Sequence, residues 1–325
     1  MKESQGLISV LVTGASGYIG QLVIKALTEY SRDLGAIVAT DIRPPGENNR
    51  LQNVIYETSD VRSPDLAEIM RAHATNTIIH LAAMVTPGKN SNRDLEYSVD
   101  VLGTENVLEC ALAAGASRLI YTSSGAAYGY YADNPDWLNE TDTIRGNPEF
   151  AYSDHKRLVE QMLAQWRKDH PELAQLIFRP GTVLGATTRN QITDLFDAKL
   201  LIGVSGVASP FVLIWDMDVV GAIIKGLFDN QTGIYNLAGD GTLTMRQMAT
   251  MMGKPYLPLP PSLLSVALRV LKKLGFTRYG SEQVNFLRYR PILSNRRLKL
   301  EMGYTPAKTS REVFEYFLEA RASGK

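Results

Sequence analysis

The sequence predicts an α/β fold: a doubly wound parallel sheet with a smaller lobe assembled from later segments. Three observations lead there. Short β-rich runs alternate with helical patterns through the first half of the 325 residues, as in a parallel sheet covered by helices on both faces. A glycine-rich turn, Thr13-Gly14-Ala15-Ser16-Gly17-Tyr18-Ile19-Gly20, separates the first of those runs from the first helical stretch. From about Ala186 onward the alternation loosens.

In order, Leu7–Val12 reads as a strand, Gln21–Tyr30 as a helix, and Ala36–Thr40 and Val54–Glu57 as strands. Pro64–Ala72 is helical, Thr77–Leu81 a strand, Leu95–Ala114 one long helix and Arg118–Thr122 a strand. Phe150–His170 is a helix closed by Pro171, and Ala174–Phe178 a strand ended by Arg179-Pro180. Ile234–Leu237 returns to the sheet as a late strand. Pro255–Pro261, with Pro258, Pro260 and Pro261, reads as a rigid connector. The apolar residues of Ser262–Phe276 recur at helical spacing beside Arg269, Lys272 and Lys273. Such a segment is either an amphipathic helix packed on the body, the commoner case, or a membrane-surface or partner helix. The chain thus divides into a first domain over 1–185, to which 212–237 returns, and a small substrate lobe made of 186–211 and 238–325.

Composition narrows the function. Lys+Arg and Asp+Glu balance at 34 each, so no basic excess exists to neutralise nucleic-acid phosphates, and no nucleic-acid partner is expected. A single cysteine, Cys110, builds neither a disulfide framework nor a zinc site, and reads as a small buried hydrophobe in a reducing cytosol. His73, His80, His155 and His170 lack metal-ligand spacing; each reads as a structural or surface residue, and no metal is expected. Met1–Gly6 has no signal-peptide character, and no run reaches the roughly 18 apolar residues of a membrane span. These features describe a cytoplasmic protein acting on a small molecule.

The glycine turn supplies the first chemistry. Glycines allow a tight turn and close backbone approach to a pyrophosphate, while the following helix N-terminus offers N–H donors to the anion. Its place between strand and helix is that of a Rossmann-type dinucleotide site over the 1–185 domain. Asp41 lies roughly 20 residues further on, at the end of the second strand, where a carboxylate accepts from ribose hydroxyls and repels a 2′-phosphate. That favours NAD over NADP; Arg43, able to pair with a 2′-phosphate, is the contrary sign.

The second feature is Tyr152-Ser153-Asp154-His155-Lys156. On a helix this spacing puts the phenol and the amine on one face, one turn apart. A nearby ammonium favours the phenolate and lowers its pKa toward the range of general acid–base work. Tyr121-Thr122-Ser123-Ser124-Gly125, at a strand end, provides a hydroxyl that can face the phenol.

Here the sequence resembles the extended short-chain dehydrogenase/reductase superfamily, specifically its NAD-dependent epimerase/dehydratase group. The matches run in order through the first 185 or so residues: Gly14/Gly17/Gly20, Asp41, Asp60-Val61, His80-Leu81-Ala82-Ala83, Gly103-Thr104, Ser123-Ser124 to Tyr128-Gly129, Tyr152/Lys156 and Arg179-Pro180-Gly181. Trp215–Val220 and Arg296–Pro306 are weaker echoes. The resemblance implies that Tyr152 is the acid/base, that Lys156 binds the nicotinamide ribose and acidifies the tyrosine, and that Ser124 holds the substrate oxygen. It places Ser16, Tyr18, Ile19, Ile42, Arg43 and Thr122 at the cofactor beside the glycines and Asp41. Asp60 and Val61 would flank adenine, Leu81, Ala82 and Ala83 would line the cofactor, and Pro180 and Val183 would meet the nicotinamide end. Val85, Ser124, Gly125, Ala126, Phe211 and Trp215 are the substrate candidates, although Phe211 and Trp215 serve equally well as core. The resemblance also implies a homodimer through helices 95–114 and 150–170. One departure is Asp100, where relatives often carry Asn; it either makes the same local hydrogen bonds, the favoured reading, or adds a charge near the cofactor.

The reaction follows from what surrounds the shared set. Related dehydratases place an Asp-Glu pair, and related decarboxylases a Glu, where this chain has Gly125 and Ala126, which cannot exchange protons. Nucleotide-sugar epimerases resemble one another in an Arg that clamps the diphosphate; alignment on Asp218-Val219 puts Phe211 there, and Phe offers phosphate nothing. Arg189, Arg288 and Arg290 remain as clamps from elsewhere. The favoured reading is an NAD-dependent oxidoreductase for a small, partly apolar hydroxy or keto substrate. The alternatives are a sugar or nucleotide-sugar (UDP-sugar) 4-epimerase that retains NAD, and a non-catalytic nucleotide sensor, against which the intact Tyr152/Lys156 pair argues.

Overall fold

The computed structural model describes residues 7–85, 92–274, 280 and 283–323. Met1–Gly6 and the last two residues of Ser262–Phe276 lie outside the described residues. The strands are β1 (Ile8–Thr13), β2 (Leu34–Asp41), β3 (Ile55–Thr58), β4 (Thr77–His80), β5 (Arg118–Thr122), β6 (Ala174–Pro180) and β7 (Thr182–Leu184). They continue with β8 (Leu201–Val204), β9 (Pro210–Phe211), β10 (Leu213–Trp215), β11 (Gly233–Leu237), β12 (Leu243–Thr244) and β13 (Tyr256–Leu259). The helices are α1 (Tyr18–Glu29), α2 (Leu66–Ala72), α3 (Arg93–Tyr97), α4 (Gly103–Ala113), α5 (Ala151–Asp169) and α6 (Gln191–Asp197). After them come α7 (Asp216–Phe228), α8 (Met245–Met251), α9 (Pro261–Lys273), α10 (Gln283–Arg288), α11 (Arg296–Leu300) and α12 (Ser310–Ala322).

A seven-stranded sheet runs in the order β11-β6-β5-β4-β1-β2-β3. Each neighbouring pair from β6 to β3 is parallel. The order reverses beside β1, between β2 and β4, and in such sheets ligands bind beyond the strand C-termini at the reversal. The predicted late strand is β11, which joins the sheet beside β6.

The chain forms two compact units. One comprises Met1–Ser123, His155–Phe178 and Val219–Ile234; the other comprises Ser124–Asp154, Arg179–Asp218 and Tyr235–Lys325. In the first, Leu11, Val38, Ile78, Leu119 and Ile177 from the strands pack with Leu66, Met70, Val107, Leu108, Val159 and Leu163 from the helices. Strands covered on both faces are apolar throughout, which is why β1 and β4 read as continuous runs. Cys110 belongs to this core, 5% exposed. The predicted long helix is α3 and α4 joined by a π-helical turn at Ser98–Leu102. That turn carries Asp100 inward, 4% exposed.

In the second unit, Phe196, Phe211, Phe314, Phe317 and Met248 form the centre of a core. Three two-stranded pairs, β7–β10, β9–β12 and β8–β13, frame it. The expected connector at Pro255–Pro261 is instead largely β13, parallel to β8 with Pro258 opposite Gly203. A two-stranded pair leaves each strand an unpaired edge, so the missing N–H of Pro258 costs no ladder bond there.

Candidate active site

In the first unit the glycine turn closes β1 and opens α1. Gly14 has φ +67°, and a Cβ there would come within 2.7 Å of the Ala82 nitrogen, so the turn lies directly against the segment after β4. A Cβ on Gly20 would collide with the Gly14 carbonyl oxygen. Gly17 caps α1 without any side-chain hydrogen bond, and no acidic residue occupies the first helical turn. Positive end charge is therefore left for an incoming anion. Asp41 stands next to this turn: its Oδ2 accepts from Ser16 N–H and its Oδ1 from Arg43 N–H, both at 3.1 Å. Ser16 Oγ donates to Arg43 O at 2.8 Å, while Ile42 and the Arg43 side chain are exposed. Close backbone approach, uncapped donors and a carboxylate at the strand end fit a dinucleotide.

Asp60 pairs with Arg62 at 2.6 Å, and the hydrogen bonds from that guanidinium hold its carboxyl below the usual range. Val61 is buried against Gly103, where a Cβ would come within 2.7 Å of Val61 Cγ2. Leu81, Ala82 and Ala83 are half-buried, and Val85 is exposed.

Beneath this surface runs a buried polar chain. Thr104 Oγ1 donates to Asp100 O at 2.6 Å and lies 3.0 Å from His80 Nε2; His80 Nδ1 lies 2.6 Å from Thr13 Oγ1. With the Thr104 proton committed to the carbonyl, Nε2 donates to Thr104 and Nδ1 accepts from Thr13. His80 is neutral, its pKa driven down to about 3 by burial and further by the nearby Lys156 charge. Asp100 does make local bonds, accepting from Met84 N–H at 2.8 Å, but it also faces His155 Nδ1 at 3.1 Å. The hydrogen bond to Met84 agrees with the favoured reading of the Asn-to-Asp departure, and the contact with His155 adds to it.

Lys156 is 3% exposed. Its Nζ donates to Tyr121 Oη at 2.9 Å and to Thr122 O at 3.0 Å. Burial lowers its pKa to about 8, opposed by the charges of Asp100 and Glu160. Glu160, one helical turn beyond Lys156, is buried and accepts from Ser123 Oγ at 2.5 Å. The sequence reading gave no role to Tyr121, Glu160 or the Asp100–His155 pair. The i, i+4 spacing of Lys156 and Glu160 was the available signal; the others are joined only by the fold.

In the second unit, half-buried Ser124 caps the short 3₁₀ turn Gly125–Tyr128 and accepts from Ala126 N–H at 3.1 Å. Ser153 Oγ donates to Ala126 O at 2.7 Å, fixing this loop to the start of α5, which carries Tyr152. A Cβ on Gly125 would come within 2.9 Å of Leu293. Pro180 ends β6, and Val183 pairs with Ile214. Tyr128 is wholly buried; its hydroxyl accepts from Arg179 at 2.8 Å and lies 2.9 Å from Asn236 Oδ1, and burial raises its pKa to about 12. It is an internal strut.

Phe211 is 1% exposed and part of the core, and Trp215 packs on Tyr316 with ring centroids 5.6 Å apart. The place where sequence comparison found no cation nonetheless holds one. The Arg290 guanidinium lies 4.0 Å from the Phe211 ring centroid and 4.5 Å from that of Phe286. Arg290 Nη2 donates to Thr182 Oγ1 at 3.1 Å, whereas buried Nη1 has no hydrogen-bond partner. Burial lowers its pKa to about 10. Among the described residues no carboxylate pairs with it, and none form a group able to hold a metal.

Residues 10–204 match the family model described as the NAD dependent epimerase/dehydratase family. The chain belongs to that family. It is thus an extended short-chain dehydrogenase/reductase whose family is one of NAD-dependent enzymes. An uncharacterized protein of Mycobacterium tuberculosis is 22% identical over 315 residues, 96% of this chain and 84% of that one. A UDP-glucose 4-epimerase of Erwinia amylovora is 30% identical over 194 residues, 58% of this chain and 57% of its own length. Among solved structures, MoeE5 with UDP-glucuronic acid and NAD superposes with a TM-score of 0.74 at 20% identity, covering 98% of this chain and 100% of that one. The UDP-glucose 4-epimerase of Thermotoga maritima with UDP-glucose gives 0.74 at 18% identity, covering 98% and 99%. At these identities the structures share the fold. No helix among the described residues is long and apolar enough to cross a membrane.

Proposed function

We propose that this enzyme oxidises a carbinol, or reduces the matching carbonyl, of a small substrate that carries an anionic group. The observation behind the anionic group is Arg290, a half-buried cation whose Nη1 is buried and unpaired and which has no carboxylate partner among the described residues. Such a cation is completed by an anion from outside the chain. Phe211 and Phe286 hold its plane and Thr182 one edge, so its open donors have a fixed geometry suited to carboxylate or phosphate. Arg290 is one of the three cations left as possible clamps, and it stands beside Phe211.

Bound NAD accepts or returns a hydride. Ser124 would hold the substrate oxygen, Tyr152 would exchange its proton, and Lys156 as ammonium would keep that phenol acidic. Asp41 would hold the adenosine ribose and the α1 N-terminus the pyrophosphate. A homodimer through helices 95–114 and 150–170 belongs to the same proposal; exposed Leu95, Tyr97 and Leu102 support it.

A second reading, a nucleotide-sugar 4-epimerase that retains NAD, is favoured by the 30% identity to the Erwinia amylovora UDP-glucose 4-epimerase. The test supplies NAD with sugar phosphates, uronates, UDP-sugars and neutral alcohols while following NADH absorbance. Stoichiometric NADH from an anionic alcohol is expected, and Arg290→Met should raise KM roughly 10- to 100-fold with a smaller change in kcat. UDP-sugar interconversion without net NADH would replace the first reading with the second. Turnover of neutral alcohols alone, indifferent to Arg290→Met, overturns both.

A further inference from the structure

The neutral total conceals an uneven charge distribution. From Gly241 to Ser281 there is no Asp or Glu, while Arg246, Lys254, Arg269, Lys272, Lys273 and Arg278 supply six positive charges. Since the chain sums to zero, the remainder carries six net negatives. Near the middle of this acid-free stretch lies α9.

This helix has two apolar faces. Leu264 is 6% exposed and, with Leu268, packs against Val204 and Val284. The same two leucines help line a largely apolar pocket of about 200 Å³. Those contacts account for one face. Leu263, Val266, Val270 and Leu274, spaced by three, four and four residues, are 53%, 54%, 50% and 63% exposed. At about 100° per residue they form a single stripe on a different side from Leu264 and Leu268. Arg269 and Lys273, both exposed, border that stripe along one edge. Just ahead of the helix, Leu257 and its register partner Ile202 are also exposed.

We propose that α9 docks the protein on an anionic lipid surface, with this stripe at the acyl boundary and the flanking cations at the headgroups. An apolar stripe beside basic residues on a short surface helix is the arrangement of interfacial helices, in which long cationic side chains reach back to the headgroup level. Charge selects the occupant. A second copy of this surface would set Arg269 and Lys273 against cations of the same kind, whereas an anionic bilayer complements them and covers the stripe.

The test is co-sedimentation of the full chain with phosphatidylcholine vesicles with and without phosphatidylglycerol. Binding only to the phosphatidylglycerol vesicles is expected, weakening as salt rises. Arg269→Glu/Lys273→Glu should reduce partitioning by roughly 30-fold or more. Val266→Glu/Val270→Glu should abolish it while the thermal shift caused by NAD is retained, showing that the variant is folded. Absence of binding, equal binding to both vesicles, or binding unaffected by Val266→Glu/Val270→Glu overturns the proposal. So does a dimer in solution that this last variant dissolves.

Discussion

The Lys156 ammonium donates to the Tyr121 hydroxyl at 2.9 Å while lying 4.7 Å from the centroid of the same ring. One aromatic residue thus anchors a buried cation twice, through its oxygen and through its π face. Burial works against the charge, and Asp100 and Glu160 work for it. Tyr121, Asp100 and Glu160 all belong to the first unit, as Lys156 does.

A pH dependence follows. With the Lys156 pKa near 8, the ammonium is lost as pH rises through about 8, and under the proposed mechanism the Tyr152 phenol would lose the cation that acidifies it. The kcat/KM profile should fall on its alkaline side near pH 8. Stability moves the other way. The native state sheds this proton before the unfolded chain does, so this group's contribution to stability rises with pH from about 8 to the unfolded value of 10.5. In thermal melts, wild type should therefore gain on Lys156→Met as pH increases through that window.

Tyr121→Phe retains the ring and removes the hydroxyl. The ammonium loses one acceptor, which costs about 1 kcal/mol of its stabilisation and lowers its pKa further. The alkaline limb should move to lower pH with little change in melting temperature. A profile identical to wild type would mean that the hydroxyl does not help hold the charge.

How far the fold could be read from the sequence depended on whether the signal was local. Val10–Val12 and Ile78–Ile79 are buried in a sheet covered on both faces, so their apolar runs announced strands directly. The π-helical turn at Ser98–Leu102 left the apolar spacing nearly helical and so was invisible. The prolines of β13 read as a connector because its partner, β8, lies far away in sequence. At the candidate site, Gly14, Asp41 and Lys156 were legible from spacing. Arg290 reaches Phe211 from a distant segment, and no motif at Phe211 itself reports that contact.

Gly14→Ala tests the turn. Its positive φ and the approach of Ala82 N to 2.7 Å of a Cβ leave an alanine no relaxed position. A non-glycine residue in this conformation costs about 1–3 kcal/mol, and displacement of the loop removes donors from the pyrophosphate. Denaturant unfolding should report that loss, and calorimetric titration should show NAD affinity lowered at least about tenfold.

Asp41→Ser tests cofactor choice. The carboxylate lies beside Ser16 N–H and Arg43 N–H, with the Arg43 side chain exposed nearby. Removing its charge lifts the repulsion of a 2′-phosphate and leaves Arg43 to attract one. The ratio of NAD to NADP affinity should fall by roughly tenfold or more, measured as two dissociation constants. An unchanged ratio would place the discrimination elsewhere.

Asp100 separates charge from hydrogen bonding. Its Oδ1 accepts from Met84 N–H and its Oδ2 faces His155, in a site only 4% exposed. Asn keeps an acceptor for Met84 and a polar amide facing His155 Nδ1, so Asp100→Asn should cost less than about 1 kcal/mol. Ala leaves the Met84 N–H and the His155 ring without that partner, and each unsatisfied buried group costs about 1–3 kcal/mol. Both substitutions remove the negative charge that supports the Lys156 ammonium, so both should shift the alkaline limb of kcat/KM to lower pH. Equal shifts in the profile with unequal losses in melting temperature would assign the electrostatic role to the charge and the structural role to the hydrogen bonds. A shift confined to Asp100→Ala would show that Asp100 acts on Lys156 only through packing.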